Sequence, residues 1–181
     1  MQGQPWRWRG KSPRWRWPVA ALLLVLAAAA IRLDREPPRT RALAPGPVSG
    51  FAEVIDGDSL RIAGSEVRLE GIDAPEGRQT CRRDGTEWDC GEEARRALAR
   101  LIGGMRVTCR SQEIDKHGRH LGTCEAGGRE LNRAMVASGM AVAFGRAYSG
   151  DERTARADRK GLWAGEFQLP RDWRHERGIG R

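Results

Sequence analysis

The sequence predicts a mainly β domain with helices, an α+β arrangement. A five-stranded Greek-key barrel of the OB type carries about three helices and is preceded by an N-terminal transmembrane or signal helix. Three observations predict it: short alternating segments grouped as hairpins, helical stripes between them, and an apolar run beside a basic terminus. The chain has 181 residues, with 32 Lys and Arg against 24 Asp and Glu, for a net charge of +8. That length suits one compact domain plus extensions and excludes a multidomain machine. Residues 1–49 hold nine basic and two acidic residues, whereas residues 50–181 hold 23 and 22. The basicity therefore belongs to the N-terminal segment and makes no case for nucleic-acid binding by the domain itself.

Residues 1–17 form a basic segment with four Trp and no acid, and an apolar run follows from Val19 to Ile31. A signal anchor over 18–33 and a cleaved signal peptide both fit this pattern; the Trp and Arg cluster favours the anchor, and the Ala27–Ala30 run suits cleavage. Either way the positive-inside rule leaves the N-terminus in the cytoplasm and sends the domain across the inner or plasma membrane, anchored on the extracytoplasmic (periplasmic) side or secreted. Residues 34–49, with four Pro, read as a linker, 50–170 as the domain and 171–181 as a basic tail.

Along the domain, 51–55 is a strand candidate. Segments 59–62 and 66–69 form a hairpin around Gly64-Ser65, in which pairing Ile62 with Val67 and Leu60 with Leu69 puts four apolar side chains on one face. Glu92 to Ile102 sets Ala94, Ala97, Leu98, Leu101 and Ile102 on one helical stripe, with acids first and Gly103-Gly104 closing it. Segments 105–111 and 121–124 form a second hairpin, and 131–138 and 151–160 are further helices, with Ala155 and Leu162 turned inward.

The four cysteines are expected in two disulfides. Cys109 and Cys124 face each other across the second hairpin, since the turn at 115–119 lies midway between them, and Cys81 and Cys90 close a polar loop. Export makes oxidation the expected state, and a zinc site is disfavoured because no C-x2-C knuckle is present.

The chemistry lies in three stretches: Val54-Ile55-Asp56-Gly57-Asp58-Ser59, Arg68-Leu69-Glu70-Gly71-Ile72-Asp73-Ala74-Pro75-Glu76, and Asp115-Lys116-His117-Gly118-Arg119. Asp58 precedes the first hairpin and Asp73 follows it. The expected register sets Asp58 opposite Gly71, so a bulge must close a two-residue gap to bring the carboxylates together. Paired carboxylates repel unless a cation lies between them, and hard oxygens suit Ca²⁺ or Mg²⁺. Each fragment alone reads as a turn or loop start, and an isolated Arg as a solvated charge; their joint placement at one hairpin end carries the functional reading.

In order and spacing, VIDGDS, RLEGIDAPE and DKHGR resemble the staphylococcal-nuclease-like (thermonuclease) family over about residues 51–167. The resemblance implies a five-stranded OB barrel with three helices and a role for each matching position. Asp58, Asp73 and the Ala74 carbonyl correspond to ligands of Ca²⁺, Glu76 to the carboxylate that orients or deprotonates the attacking water, and Arg68 and Arg119 to the guanidiniums that hold the scissile phosphate. His117 stands where the family often has Tyr, Ser59 where it often has Thr, and Phe144 near a Tyr of the nucleotide pocket; His117 and Phe144 are expected on the substrate. Arg78, Arg82 and Arg83, beside the site, suit either flanking phosphates or a solvated loop.

The leading expectation is a Ca²⁺-dependent endonuclease, a phosphodiester hydrolase acting on DNA and also RNA. It would be monomeric and tethered to the membrane by its N-terminal segment. The alternative is a non-catalytic nucleic-acid or envelope-protein binding module on the same barrel, and a third is a structural envelope protein.

Overall fold

The computed structural model describes residues 45–179. The segments expected as the basic N-terminus (1–17), the anchor or signal (18–33) and most of the linker lie outside the described residues. Among those described, no helix is long and apolar enough to cross a membrane.

The architecture is mixed α+β. The strands are β1 (Val48–Gly50), β2 (Ala52–Val54), β3 (Ser59–Ile62), β4 (Ser65–Leu69), β5 (Ile72–Asp73), β6 (Cys81–Arg83) and β7 (Thr86–Trp88). Helix α1 (Cys90–Ile102) follows, then β8 (Val107–Ile114), β9 (His120–Ala126) and β10 (Arg129–Glu130). The chain continues through α2 (Leu131–Ala137), β11 (Val142–Ala143), α3 (Ser149–Ala157), a 3-10 turn (Gly161–Ala164) and α4 (Pro170–Glu176).

The main sheet runs β1-β8-β9-β4-β3-β2, with β10 beside β9. Among the described residues its ladder does not close, and the sheet has seven strands where an OB-type barrel of five was expected, with its two edges coming from one piece of chain. The strand expected over 51–55 is β2, and an unexpected β1 takes in Val48 and Ser49 of the expected linker; the two are separated by the exposed Phe51 and take opposite edges. The chain thus turns from one edge to the other within one residue. Gly50 lies close enough to β3 that a Cβ there would sit 3.0 Å from Ile62 Cγ2.

The first hairpin also differs from expectation. Leu60 pairs with Val67 and Ile62 with Ser65, a shift of two residues. The cause is the loop, which is Ala63-Gly64 with φ of 49° and 84°, the left-handed pair whose twist suits a two-residue hairpin. Because the shift is even, side-chain parity survives: Leu60, Ile62, Val67 and Leu69 all lie on the buried face.

In the β8–β9 hairpin Cys109 stands opposite Cys124, and the two form a disulfide; a register shift at Ser111/Glu113 precedes the turn. Parallel pairing of β4 with β9 then sets Arg68 beside Leu121. Helix α1 buries Ala94, Ala97, Leu98 and Ile102 against the sheet and ends on Gly103 in the left-handed region. Leu131, Met135 and Val136 of α2 complete the same core. A smaller cluster joins the Cys81–Cys90 disulfide to Leu162, Trp88 and Phe167.

Candidate active site

The hairpin shift widens the gap that the expected register left, from two residues to four, and the turn at Glu70-Gly71, with Gly71 at a φ of 76°, folds Asp73 back towards Asp58. With Ser59 opposite Arg68, the Leu69 amide donates to the Asp58 carbonyl at 2.8 Å, so the acid at the start of β3 comes directly opposite the end of β4. Gly57 permits the approach: a Cβ there would lie 2.7 Å from that of Ala74 and 2.8 Å from that of Ala94. The D-G-D motif is thus wedged between the next motif and α1.

Asp58 and Asp73 are both buried, at 3% and 4% exposure. One nitrogen, Arg68 Nη2, donates to Asp58 Oδ2 and to Asp73 Oδ1, each at 2.9 Å. The Ala74 amide donates to Asp58 Oδ2 at 3.1 Å, and Ser59 Oγ donates to Asp58 Oδ1 at 3.0 Å. Burial pushes the Asp58 carboxyl up to about 7, with Asp56 and Asp73 adding to the rise while Arg68 and the Ala74 amide oppose it. One guanidinium does not fully offset the cost of burying the Asp58 charge.

A second guanidinium arrives from α4. Arg174 Nη1 donates to Asp73 Oδ1 at 2.9 Å and to Glu76 Oε1 at 2.7 Å, and its Nη2 donates to Asp73 Oδ2 at 3.1 Å. Its burial works toward deprotonation, but the hydrogen bonds it donates to Asp73 and Glu76 outweigh that and hold it charged. Residue 174 lies in the segment expected as a basic tail. The signal available was Pro170 with Asp172 in a first turn, a helix start followed by Trp173.

Glu76 is fixed by its backbone. Its carbonyl accepts from the Gln79 amide at 2.7 Å, and the Gly91 amide in the first turn of α1 donates to the Gln79 carbonyl at 3.1 Å. Only glycine fits at 91, where a Cβ would fall 1.8 Å from the Glu76 carbonyl oxygen. Gln79 is fully buried, and its Nε2 donates to the Gln168 carbonyl at 2.7 Å, joining the loop to the approach of α4.

Arg119 sits apart from the carboxylates. It is fork-bonded to Asp115 in the hairpin turn, with Nε and Nη2 at 2.9 and 2.8 Å from Oδ2, and its amide and that of His117 donate to Oδ1. Burial opposes the ionised form of Asp115, but these donors hold its carboxyl below the usual range. Arg119 stands just before β9, two residues from Leu121, which pairs with Arg68. His117 is exposed at the turn. Phe144 follows β11, which pairs with β5; its amide donates to the Gly71 carbonyl at 2.8 Å and its side chain is 64% exposed. It lines a cavity of about 340 Å³ with Arg68, Asp73, Leu121 and Arg174.

Two expectations for the loop arginines separate here. Arg83 is used by the fold, donating to the Gly161 carbonyl at 2.7 Å and lying over Trp88. Arg78 is exposed.

Among the described residues no three His, Cys, Asp or Glu side chains converge on one metal position. The donors at the carboxylate pair nevertheless suit a hard divalent cation. They are all oxygens, and two of the carboxylates are buried together on one Arg68 nitrogen.

A family model described as staphylococcal nuclease homologue matches residues 66–165. The succinoglycan biosynthesis protein ExoI of Rhizobium meliloti (strain 1021) is 38% identical over 124 residues, covering 65% of this chain and 65% of that protein. The micrococcal nuclease of Shigella flexneri is 34% identical over 143 residues, covering 67% of this chain and 76% of its own length. The probable staphylococcal-like nuclease CAN2 of Oryza sativa subsp. japonica is 33% identical over 121 residues, covering 64% of this chain but 30% of its own length.

Proposed function

The chain belongs to the staphylococcal nuclease homologue family, and on that premise we propose that it is a Ca²⁺-dependent phosphodiesterase of the OB type, hydrolysing DNA and also RNA. One observation carries the reading. Two buried carboxylates, one before β3 and one after β4 at the open end of that hairpin, meet on a single Arg68 nitrogen, with Glu76 and an open cavity alongside.

Asp58, Asp73 and the Ala74 carbonyl would hold the calcium ion, which when bound polarises a phosphoryl oxygen and neutralises charge developing on it. The protein's own groups do the rest. Arg68 commits one nitrogen to the carboxylates and offers its remaining N–H groups to the phosphate, while Arg119, braced by Asp115 in the turn before β9, would supply a second guanidinium. Glu76 accepts a proton from water as the new O–P bond forms in line with the departing sugar oxygen. Phe144 offers an open ring for a base to stack on, and His117 lies beside Arg119 for a further phosphate contact. Two disulfides support an oxidising, extracytoplasmic location, with the N-terminal segment as anchor or signal.

The test is cleavage of single- and double-stranded DNA and of RNA by the purified chain with and without Ca²⁺, beside Glu76→Gln and Arg119→Ala. Each variant should lose about 10²-fold or more in kcat. Equal rates in all three proteins overturn the mechanism. A wild type that binds single strands at low salt yet leaves them intact favours the non-catalytic binding module.

A further inference from the structure

The Arg174 clamp has no counterpart among the residues expected to carry the chemistry, and it is built with care. Segment 166–168 is strapped to the site loop twice. Arg82 and Glu166 exchange backbone hydrogen bonds at 2.9 and 2.8 Å, and Gln79 Nε2 reaches the Gln168 carbonyl. Pro170 then starts α4, and Trp173 is buried at 7% exposure, so the next side chain is delivered from a fixed base. That side chain places one nitrogen on a carboxylate expected to bind the cation and on the carboxylate expected to act as base.

A glutamate on a surface loop has three rotatable bonds and otherwise samples many orientations, and each unproductive one lowers the rate of proton transfer. Arg174 removes that freedom by referring Glu76 to Asp73. A planar fork suits this task because it can grip both oxygens of one carboxylate while a shared nitrogen reaches the other, which a lysine cannot.

Resting on the nuclease reading above, we propose that Arg174 is a positioning residue for the hydrolysis. It acts through Glu76, holding that carboxylate in register with Asp73, and it contributes little to substrate binding.

The experiment uses the full chain and compares wild type with Arg174→Met, Arg174→Lys and Arg174→Ala. It measures kcat and KM on single-stranded DNA, Ca²⁺ affinity by calorimetry without DNA, and thermal midpoints. Arg174→Met should lose about 10- to 100-fold in kcat, with KM and Ca²⁺ affinity each within about threefold of wild type, and Arg174→Lys should recover part of the loss. Exogenous methylguanidinium should raise the kcat of Arg174→Ala, a rescue that a purely structural role would not give. An unchanged kcat overturns the proposal. So does a raised KM at constant kcat, which would make Arg174 a substrate contact, or a tighter Ca²⁺ affinity with faster turnover, which would make it a competitor for Asp73. If Arg174→Met does not fold, Arg174→Lys takes its place, and a kcat equal to wild type then overturns the proposal. A wild type that cleaves nothing removes the nuclease reading together with this one, whereas an active wild type matched by Arg174→Met removes this one alone.

Discussion

Arg68 and Asp58 meet at 2.9 Å across the β3–β4 hairpin, ten positions apart in the sequence. The same Arg68 nitrogen also serves Asp73, so its removal strands two buried acids rather than one. Arg68→Met should destabilise the protein by about 3 kcal/mol in the absence of calcium, read by urea unfolding at neutral pH. A change below about 1 kcal/mol would mean that the carboxylates are held by their backbone donors alone.

Calcium should stabilise the wild type and not a chain lacking the acidic pair. At about 100 times its dissociation constant the ion adds about 2.7 kcal/mol by mass action. Asp58→Asn/Asp73→Asn should show no calcium-dependent rise in thermal midpoint. A rise equal to that of wild type would place the ion elsewhere.

Tyr148 is the single tyrosine, so its ionisation can be followed at 295 nm without overlap from another phenol. Burial first, and then its 2.7 Å hydrogen bond to Glu130, push the hydroxyl up to about 12. Folding therefore favours the protonated form. The contribution to stability is complete below the unfolded value near 10 and is lost as pH rises from there through about 12. A native titration midpoint near 10 would contradict this.

The two disulfides should have unequal effects on activity. Cys90 begins α1, whose next amide, that of Gly91, holds the Gln79 carbonyl two residues from Cys81, in the loop that carries Glu76. Cys109–Cys124 lies deep in the sheet, away from that loop. Removing either should cost about 2–4 kcal/mol. Cys81→Ser/Cys90→Ser should in addition lower kcat at a temperature where the variant remains folded, and Cys109→Ser/Cys124→Ser should not. Equal kcat in the two variants would detach Glu76 from the first bridge.

Asn132 is fully buried and joins three strand or loop ends: its Oδ1 accepts from the Cys124 amide, and its Nδ2 donates to the carbonyls of Glu70 and Gly122. Asn132→Ala leaves an amide and two carbonyls without that partner and should destabilise by about 2–3 kcal/mol in urea unfolding. A loss under about 0.5 kcal/mol would mean that water replaces it.

Much of the fold was legible because its strong signals are periodic. The stripe on α1, the alternation on β3 and β4, and the symmetric placement of Cys109 and Cys124 about their turn each follow from side-chain geometry that neighbours along the chain already specify. The hairpin register was not legible to the last pair, because Ala63 had to be read as a left-handed turn residue, a conformation alanine seldom takes. The pairs β5–β11 and β6–β7 have two or three residues per strand, too few for a period to show. The acidic pair with Arg68 was visible as motifs. Arg174 was not, since its partners lie about a hundred residues earlier and its own surroundings are rich in charge.

The short strands flanking Phe51 carry a consequence for the behaviour of the protein at high concentration. Each margin of the main sheet ends in only three residues, and both margins belong to the same stretch of polypeptide. An intruding strand from another molecule therefore meets too little unpaired backbone to dock on, and seeding of fibrils has to wait until residues 48–54 peel away.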